Sequence, residues 1–259
     1  MTSHNVDYRA QDSRLPRLTG LWSESPPGRR RQRIPGRTGS VWSVSDLELL
    51  EHEIRHADQE PRGALVLHHG RATDRFDLLP LLEALDPSRN LVAVTPQGPF
   101  QLPPGGWHWY AVPRVGYPDP STFWESFGLL ERFHAALPEE IGVPWERTII
   151  GGFSMGAVMS YALGLGERRP PPAGILALSG FIPTVERFEP HFEDRPKLPV
   201  AITHGSEDPI ISVEFATAAR QTLEEAGLPV LYRESSLGHA IDPEVIPLLR
   251  TWIDERLED

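Results

Sequence analysis

Short, mostly apolar runs alternate with amphipathic segments from about residue 46 to the end of the chain. Continuous apolar runs are typical of parallel strands covered on both faces, whereas apolar residues at every third or fourth position predict a helix. The alternation therefore predicts an α/β fold with a mostly parallel central sheet and helices on both faces. The predicted strands are ALVLH (64–68), LVAVT (91–95), TIIGG (148–152), ILALS (175–179), VAITH (200–204) and VLYRE (230–234).

Helical periodicity occupies the segments between and after these strands. Asp74 is a suitable cap for the first helix, and Pro243 stands in the first turn of the last one, where proline is tolerated. The predicted helices are Phe76–Leu85, Ser121–Leu137, Met155–Leu165, Val213–Ala226 and Pro243–Leu257.

A serine between glycines follows the third predicted strand, in TIIGGFSMG (148–156). Glycine beside a strand costs about 0.5–1 kcal/mol relative to alanine, so its repeated use requires a reason. Residues 152–156 match G-x-S-x-G, in which the serine stands on a sharp turn between a strand and a helix and the glycines leave room for the two backbones. We therefore predict that Ser154 is a nucleophile; an ordinary glycine-rich turn is the alternative.

Two later loops carry the residue types that activate such a serine. In α/β folds the site lies at the carboxyl ends of the strands, where HGSEDP (204–209) presents Asp208 and SLGHAID (236–242) presents His239. The order Ser, Asp, His is the one that an α/β-hydrolase topology requires. His239 would accept the Ser154 proton while Asp208 fixes the tautomer of the imidazole. Taken singly, Asp208 could equally be a helix cap, and His239 could equally be a turn residue.

The loop HHGRATD (68–74) follows the first predicted parallel strand. A nucleophilic serine needs N–H donors for the oxyanion, one from the residue after the serine and one from this early loop. Met155 and Arg71 are the predicted backbone donors. The Arg71 side chain could clamp a substrate carboxylate or phosphate, or form a surface ion pair with Asp74 or Asp77.

Aromatic residues cluster in PPGGWHWYAVP (103–113) and TFWESF (122–127). They stand between the second parallel strand and the helix before Ser154, so they could wall an acyl pocket or simply pack in the core. The candidate pocket residues are Trp107, Trp109, Tyr110, Phe123 and Trp124.

Charge divides the chain unevenly. Residues 1–45 hold eight arginines against three acidic residues, a net charge of +5, whereas the whole chain carries −11 and residues 46–259 therefore carry −16. The division predicts a basic extension over 1–45 and one domain over 46–259 that repels nucleic acid. The segment 28–37, GRRRQRIPGR, could make a weak contact with anionic lipid or RNA, or could be a solvated extension.

Composition removes several chemistries. The chain has no cysteine, which excludes disulfides, thiolate zinc sites and cysteine nucleophiles. No apolar stretch approaches the roughly 18 residues that span a bilayer. The polar start, MTSHNVDYRAQDSR, lacks the apolar region of a secretory signal, so we expect a cytoplasmic protein. We expect no cofactor, and the oligomeric state is not specified by the sequence.

A zinc protease is an alternative because residues 52–56 read HEIRH. H-E-x-x-H on a helix places two histidines on one face, where they bind zinc with glutamate as the general base. The same residues also alternate between apolar and polar, which favours a half-exposed strand. No third ligand follows on a nearby helix, so we favour the strand.

From about residue 46 to the end, the chain resembles the phospholipase/carboxylesterase family of α/β-hydrolases, which includes acyl-protein thioesterases. The resemblance rests on LHHGR, TPQGPFQLPPGGWHWY, GGFSMGA, LSGFIP, HGSEDPI and GHAID. It implies a serine hydrolase acting on carboxylic esters, thioesters or lysophospholipids through Ser154, Asp208 and His239. Met155 and Arg71 depart from the glutamine and leucine that many members carry.

We therefore expect a carboxylesterase that acts on small to medium acyl esters, with a small-molecule ester as its partner. An acyl thioesterase or a lysophospholipase is the nearest alternative. A non-catalytic binding protein that keeps the triad and contacts a partner through its basic extension is a hypothesis from another class.

Overall fold

The computed structural model describes residues 49–166 and 170–258. The basic extension at 1–45, with the segment 28–37, lies outside the described residues, so its boundary and its anionic contact stay predictions. Within the described ranges, none of the helices combines the length and the apolar character that crossing a bilayer requires.

A seven-stranded sheet forms the centre of the described part. The strands are β1 (His52–Arg55), β2 (Gly63–His68), β3 (Leu91–Pro96), β4 (Phe100–Gln101), β5 (Trp107–His108), β6 (Thr148–Phe153), β7 (Gly174–Leu178), β8 (Val200–Gly205) and β9 (Val230–Ser235). The strand order in the sheet is β1-β3-β2-β6-β7-β8-β9, with β1 antiparallel to β3 and the other neighbours parallel. All six strands predicted from the apolar runs are present, and β4 and β5 form a separate small hairpin.

Helices cover both faces of this sheet, as the alternating pattern predicts. The helices are α1 (Leu79–Leu85), α2 (Pro120–Ile141), α3 (Met155–Leu165), α4 (Val213–Glu225) and α5 (Ile246–Leu257). Successive strand residues point to opposite faces, so Val66 and Ile150 join the core under α2, α3 and α4, while Leu65 and Ile149 join the core under α1 and α5. The apolar runs are thus explained by burial on both sides.

Helix boundaries differ from the predicted ones where side chains bond locally. The first helix begins at Leu79 rather than Phe76, because Asp74 Oδ1 accepts from the Phe76 N–H at 3.0 Å and caps a turn instead of the helix. The second begins after Asp119, whose carboxylate accepts from Thr122 N, and it continues through a proline to Ile141. The predicted last helix starts with a 3-10 turn over Pro243–Val245.

The segment HEIRH forms a strand, so the helical zinc-site alternative is wrong. Residues His52–Arg55 pair with β3, and His56 lies beyond the end of the strand. His52 instead contacts the carbonyl oxygen of Leu50 at 2.8 Å and the carboxylate of Glu140 at 3.1 Å. The two histidines of the motif therefore do not share the helical face on which a zincin relies.

Candidate active site

Ser154 stands on a strained turn at the carboxyl end of β6, the central strand of the sheet. Its φ of 56° and ψ of −117° lie outside the conformations that a side chain ordinarily allows. The turn is held because the Ser154 N–H donates to Leu178 O at 2.8 Å and the Ser154 carbonyl accepts from Ala157 N at 3.0 Å. Such strain is typical of functional positions and of the G-x-S-x-G turn, which exposes its serine at the carboxyl end of a strand.

Gly156 allows α3 to start immediately after this turn. A Cβ at Gly156 would lie 1.9 Å from His68 O and 2.7 Å from His69 O, which are backbone atoms. Only glycine therefore fits where the first turn of α3 crosses the end of β2. This close approach is the reason for the glycine that the sequence motif predicts.

The three side chains predicted as a triad meet at one edge of the sheet. His239, on the loop after β9, has its Nε2 atom 2.9 Å from Ser154 Oγ and its Nδ1 atom 2.6 Å from Asp208 Oδ2. Because a carboxylate oxygen accepts, Nδ1–H donates to Asp208 and Nε2 is left to accept the serine proton. The geometry is thus that of a serine activated by an oriented imidazole.

Asp208 is held in place by several donors. Its side chain is fully buried, and its Oδ1 atom accepts from the N–H groups of Ile210 at 2.8 Å and Ile211 at 2.9 Å. Burial raises the pKa of Asp208, but hydrogen bonds from His239 and from these two N–H groups outweigh it and bring the pKa below its usual range. The carboxylate therefore stays ionised beside His239.

A second buried imidazole contacts the same carboxylate, and sequence reasoning missed it. His204, at the end of β8, has its Nε2 atom 2.8 Å from Ile211 O and 3.4 Å from Asp208 Oδ2. Since a carbonyl only accepts, Nε2 carries the hydrogen and donates it to Ile211 O, with the Asp208 carboxylate close by. The sequence shows only that His204 and Asp208 stand four residues apart in HGSEDP, and this spacing predicts a contact on a helix but not in a loop.

The loop of His239 passes very close to the end of β8. A Cβ at Gly205 would lie 2.2 Å from Gly238 O and 2.3 Å from Leu237 O. The glycine at this position lets the backbone before His239 approach the end of β8, just before the loop that carries Asp208. The close approach of the loops that carry Asp208 and His239 therefore requires a glycine at position 205.

Arg71 and Met155, the predicted oxyanion donors, both line the cavity beside Ser154. Met155 is the first residue of α3, where N–H groups lack an intrahelical acceptor and the helix dipole favours negative charge. The Arg71 segment is fixed to β5, because Ala72 N donates to Trp107 O at 2.8 Å and Trp107 N donates to Thr73 O at 2.7 Å. The structure thus places both predicted donor residues at the cavity that Ser154 lines.

The cavity at Ser154 has a volume of about 590 Å³. Tyr110 is the one residue of the predicted aromatic pocket that lines it. Trp107 belongs to β5, and Trp124 faces a different cavity of about 300 Å³, where its Nε1–H donates to Glu186 O. These two tryptophans are therefore not walls of the cavity at Ser154, contrary to the expectation from the sequence.

Trp109 and Phe123 are core residues, which corrects the expectation that they line the pocket. Both side chains are fully buried. Trp109 donates its Nε1–H to His69 O at 2.9 Å, and its backbone N–H lies 3.2 Å from the Met155 sulfur. Trp109 therefore packs against the segment that precedes Arg71 and stabilises it. The sequence pattern did not distinguish this core role from a pocket role.

The architecture defines the class of protein. A mostly parallel sheet covered on both faces, with a serine on the strained turn after its central strand, is that of an α/β-hydrolase. The model of the phospholipase/carboxylesterase family matches residues 50–257, a range that includes Ser154, Asp208 and His239. The chain belongs to this family, and the resemblance seen in the sequence is confirmed.

Relatives include proteins named for thioester and ester hydrolysis. Acyl-protein thioesterase 1 homolog 1 of Dictyostelium discoideum is 29% identical over 175 residues, which are 66% of this chain and 75% of the relative. Carboxylesterase SOBER1 of Arabidopsis thaliana is 30% identical over 156 residues, which are 58% of this chain and 68% of the relative. The family and these relatives make the chain a serine hydrolase.

Solved structures share the fold. The crystal structure of the Bacillus cereus carboxylesterase has a TM-score of 0.71 at 20% identity and covers 82% of this chain and 97% of its own. The crystal structure of Arabidopsis thaliana SOBER1 has a TM-score of 0.63 at 25% identity and covers 76% of this chain and 99% of its own. Both likenesses agree with the α/β-hydrolase fold predicted from the sequence.

Proposed function

We propose that this chain hydrolyses carboxylic esters of small to medium acyl groups through an acyl-enzyme on Ser154. One observation carries the proposal: hydrogen bonds run from Ser154 Oγ at 2.9 Å to His239 and from His239 at 2.6 Å to Asp208, beside a cavity of about 590 Å³. A cavity of this size holds a small ester. The cytoplasmic location expected from the sequence remains a prediction.

The geometry supports a reaction in two halves. His239 Nε2 takes the Ser154 proton as Oγ attacks the ester carbon, and the C=O electron pair moves onto the oxygen. Collapse of this intermediate breaks the bond to the alcohol, which leaves with the proton from His239. His239 then takes a proton from water as the water oxygen attacks the acyl carbon; the bond between that carbon and Ser154 Oγ breaks, the acid leaves, and His239 returns the proton to Oγ.

Two backbone N–H groups complete the proposed machinery. Those of Arg71 and Met155 would donate to the negatively charged oxygen of the intermediate. A donor of this kind is typically worth a factor of about 10² to 10³ in rate. Since only backbone atoms are used, the unusual side chains at both positions are compatible with the mechanism.

The test is hydrolysis of 4-nitrophenyl butyrate by the wild type and by matched serine variants. Ser154→Ala should lower kcat at least about a thousandfold, because it removes the nucleophile. Ser206→Ala, at an exposed serine after β8, should retain wild-type kcat. An active Ser154→Ala would contradict the proposal, and a wild type inactive on every ester would favour the non-catalytic binding protein.

An acyl thioesterase is the second candidate, because a relative at 29% identity is named as an acyl-protein thioesterase. The same oxyanion geometry serves a thiolate and an alkoxide leaving group. Oxygen and sulfur esters of the same acyl group separate the two. A kcat/KM at least tenfold higher for the thioester would replace the first candidate with the second.

A further inference from the structure

We propose that the substrate is an amphiphilic ester whose carboxylate or phosphate group binds between the side chains of Arg71 and Arg114 at the cavity of Ser154. This inference rests on the proposed function and names its substrate class. It uses two arginine side chains that the hydrolytic mechanism leaves unassigned.

The two arginines line the cavity without a carboxylate partner. In the described part of the chain, neither guanidinium forms an ion pair; the surface pairs considered for Arg71 with Asp74 and Asp77 are not formed. Arg75, in the same loop, is by contrast paired with Glu51 and Glu53, each at 2.8 Å. Both arginines are exposed and no described carboxylate neutralises them, so both guanidinium groups can pair with an anionic ligand.

The charge of this wall is opposite to that of its surroundings. Residues 46–259 carry a net charge of −16, yet the cavity lining has two arginines and one carboxylate, that of Asp77. The net negative charge of this part of the chain repels an anionic ligand at long range. The two arginines at the cavity would offset this repulsion where the ligand binds. Such a wall selects anionic substrates over neutral ones through direct contact.

Arg114 is held in a conformation suited to binding an anion. Its Cζ atom lies 3.6 Å from the centroid of the Tyr117 ring, and Tyr117 N donates to Arg114 O at 2.9 Å. The turn is fastened where Thr184 donates its hydroxyl to Gly116 O. Stacking uses the flat face of the guanidinium and leaves its edge, which carries the N–H donors, available to a carboxylate or phosphate.

Apolar side chains lie beside this cationic wall. Val112, Val115, Tyr117 and Ile210 line the same cavity and are 38%, 41%, 53% and 54% exposed, so together they give it an apolar, solvent-accessible lining. Apolar and cationic groups at one opening match a substrate that has an apolar chain and an anionic group. The substrate class is therefore an amphiphile rather than a neutral short ester.

The anionic group can stand on either side of the ester bond, and two substrate pairs distinguish the sides. Mono-4-nitrophenyl adipate and its methyl ester differ by a carboxylate on the acyl side. 1-Butyrylglycerol 3-phosphate and 1-butyrylglycerol differ by a phosphate on the alcohol side. We expect a kcat/KM about tenfold higher for the anionic member of at least one pair, and the pair that shows it identifies the side.

Variants that remove one charge test whether Arg71 and Arg114 cause the preference for anionic substrates. Arg114→Gln and Arg71→Gln should each lower the anionic-to-neutral ratio of kcat/KM about tenfold, and Asp77→Asn should raise it. Arg233→Gln, which removes the same charge from an exposed position on β9, should leave the ratio unchanged. A ratio of one or less in both pairs, or a ratio that neither arginine variant changes, would overturn the inference.

Binding without turnover separates this inference from the proposed function. Adipate and glycerol 3-phosphate are titrated calorimetrically into Ser154→Ala, with and without Arg114→Gln. We expect a dissociation constant about tenfold weaker in the double variant for the ion that matches the preferred side. No binding of either ion by Ser154→Ala would overturn the anionic subsite even if the wild type hydrolyses neutral esters, and binding by an inactive wild type would overturn only the hydrolysis.

Discussion

Two buried histidines at the end of β2 should make the folded protein sensitive to mild acid. His68 is fully buried and His69 is 1% exposed. Burial lowers the pKa of His68 from 6.5 to about 3, and it lowers the pKa of His69 to about 4 although the Gly70 carbonyl acts in the opposite direction. Both rings are therefore neutral in the folded state at pH values where the unfolded chain protonates them.

The size of the effect follows from proton linkage. Below pH 6.5 the unfolded chain binds a proton at each histidine that the folded chain does not, so the free energy of unfolding falls as the pH falls. Each histidine contributes about 1.4 kcal/mol per pH unit between 6.5 and its folded pKa. Lowering the pH from 7 to 5 should cost about 2 kcal/mol per histidine and about 4 kcal/mol together.

Urea denaturation at pH 7 and pH 5, followed by tryptophan fluorescence, measures this loss. His69→Gln should reduce the loss by about half, since an amide can replace the contacts of His69 with Gly70 O and Gly98 N but does not titrate. His56→Gln, at an exposed histidine, should leave the loss unchanged. Equal free energies of unfolding at the two pH values would refute the assignment of buried neutral rings.

Three further variants test other parts of the structure. Gly156→Ala places a Cβ against His68 O at 1.9 Å, so we expect a loss of at least about 2 kcal/mol and of most esterase activity, seen in urea melts and initial rates. Trp109→Ala should lower stability by about 3–5 kcal/mol without a specific change in acyl-length preference, because this ring is core; unchanged stability would contradict that. His204→Phe removes the N–H that donates to Ile211 O, so it should loosen the loop that carries Asp208 and lower both stability and kcat/KM, with recovery in His204→Gln; unchanged stability and kcat/KM in His204→Phe would contradict this role.

Local patterns predicted the strands and the positions of the triad. The apolar runs are strands because their side chains are buried on both faces, and the order of Ser154, Asp208 and His239 follows from the loops that come after β6, β8 and β9. Here local sequence and global fold agree, as they do where burial dominates. The strand form of HEIRH was also predicted from its alternation.

Roles that depend on long-range packing were not predictable in the same way. Trp109 and Tyr110 are neighbours in the sequence, yet the first is buried under the His69 loop and the second faces the cavity. Tryptophan-rich loops have no period that separates the two roles. His204 was missed for a similar reason, because its contact with Asp208 depends on how the loop after β8 folds back.

A covalent acyl group on Ser154 is the defining intermediate of the proposed reaction, and intact-protein mass spectrometry with peptide mapping detects it. The wild type is mixed with 4-nitrophenyl acetate and quenched in acid within the first turnover. We expect a mass increase of one acetyl group, located on the peptide that carries Ser154 and missing from Ser154→Ala. Turnover with no adduct on that peptide, or an adduct that persists in Ser154→Ala, would contradict the proposed reaction.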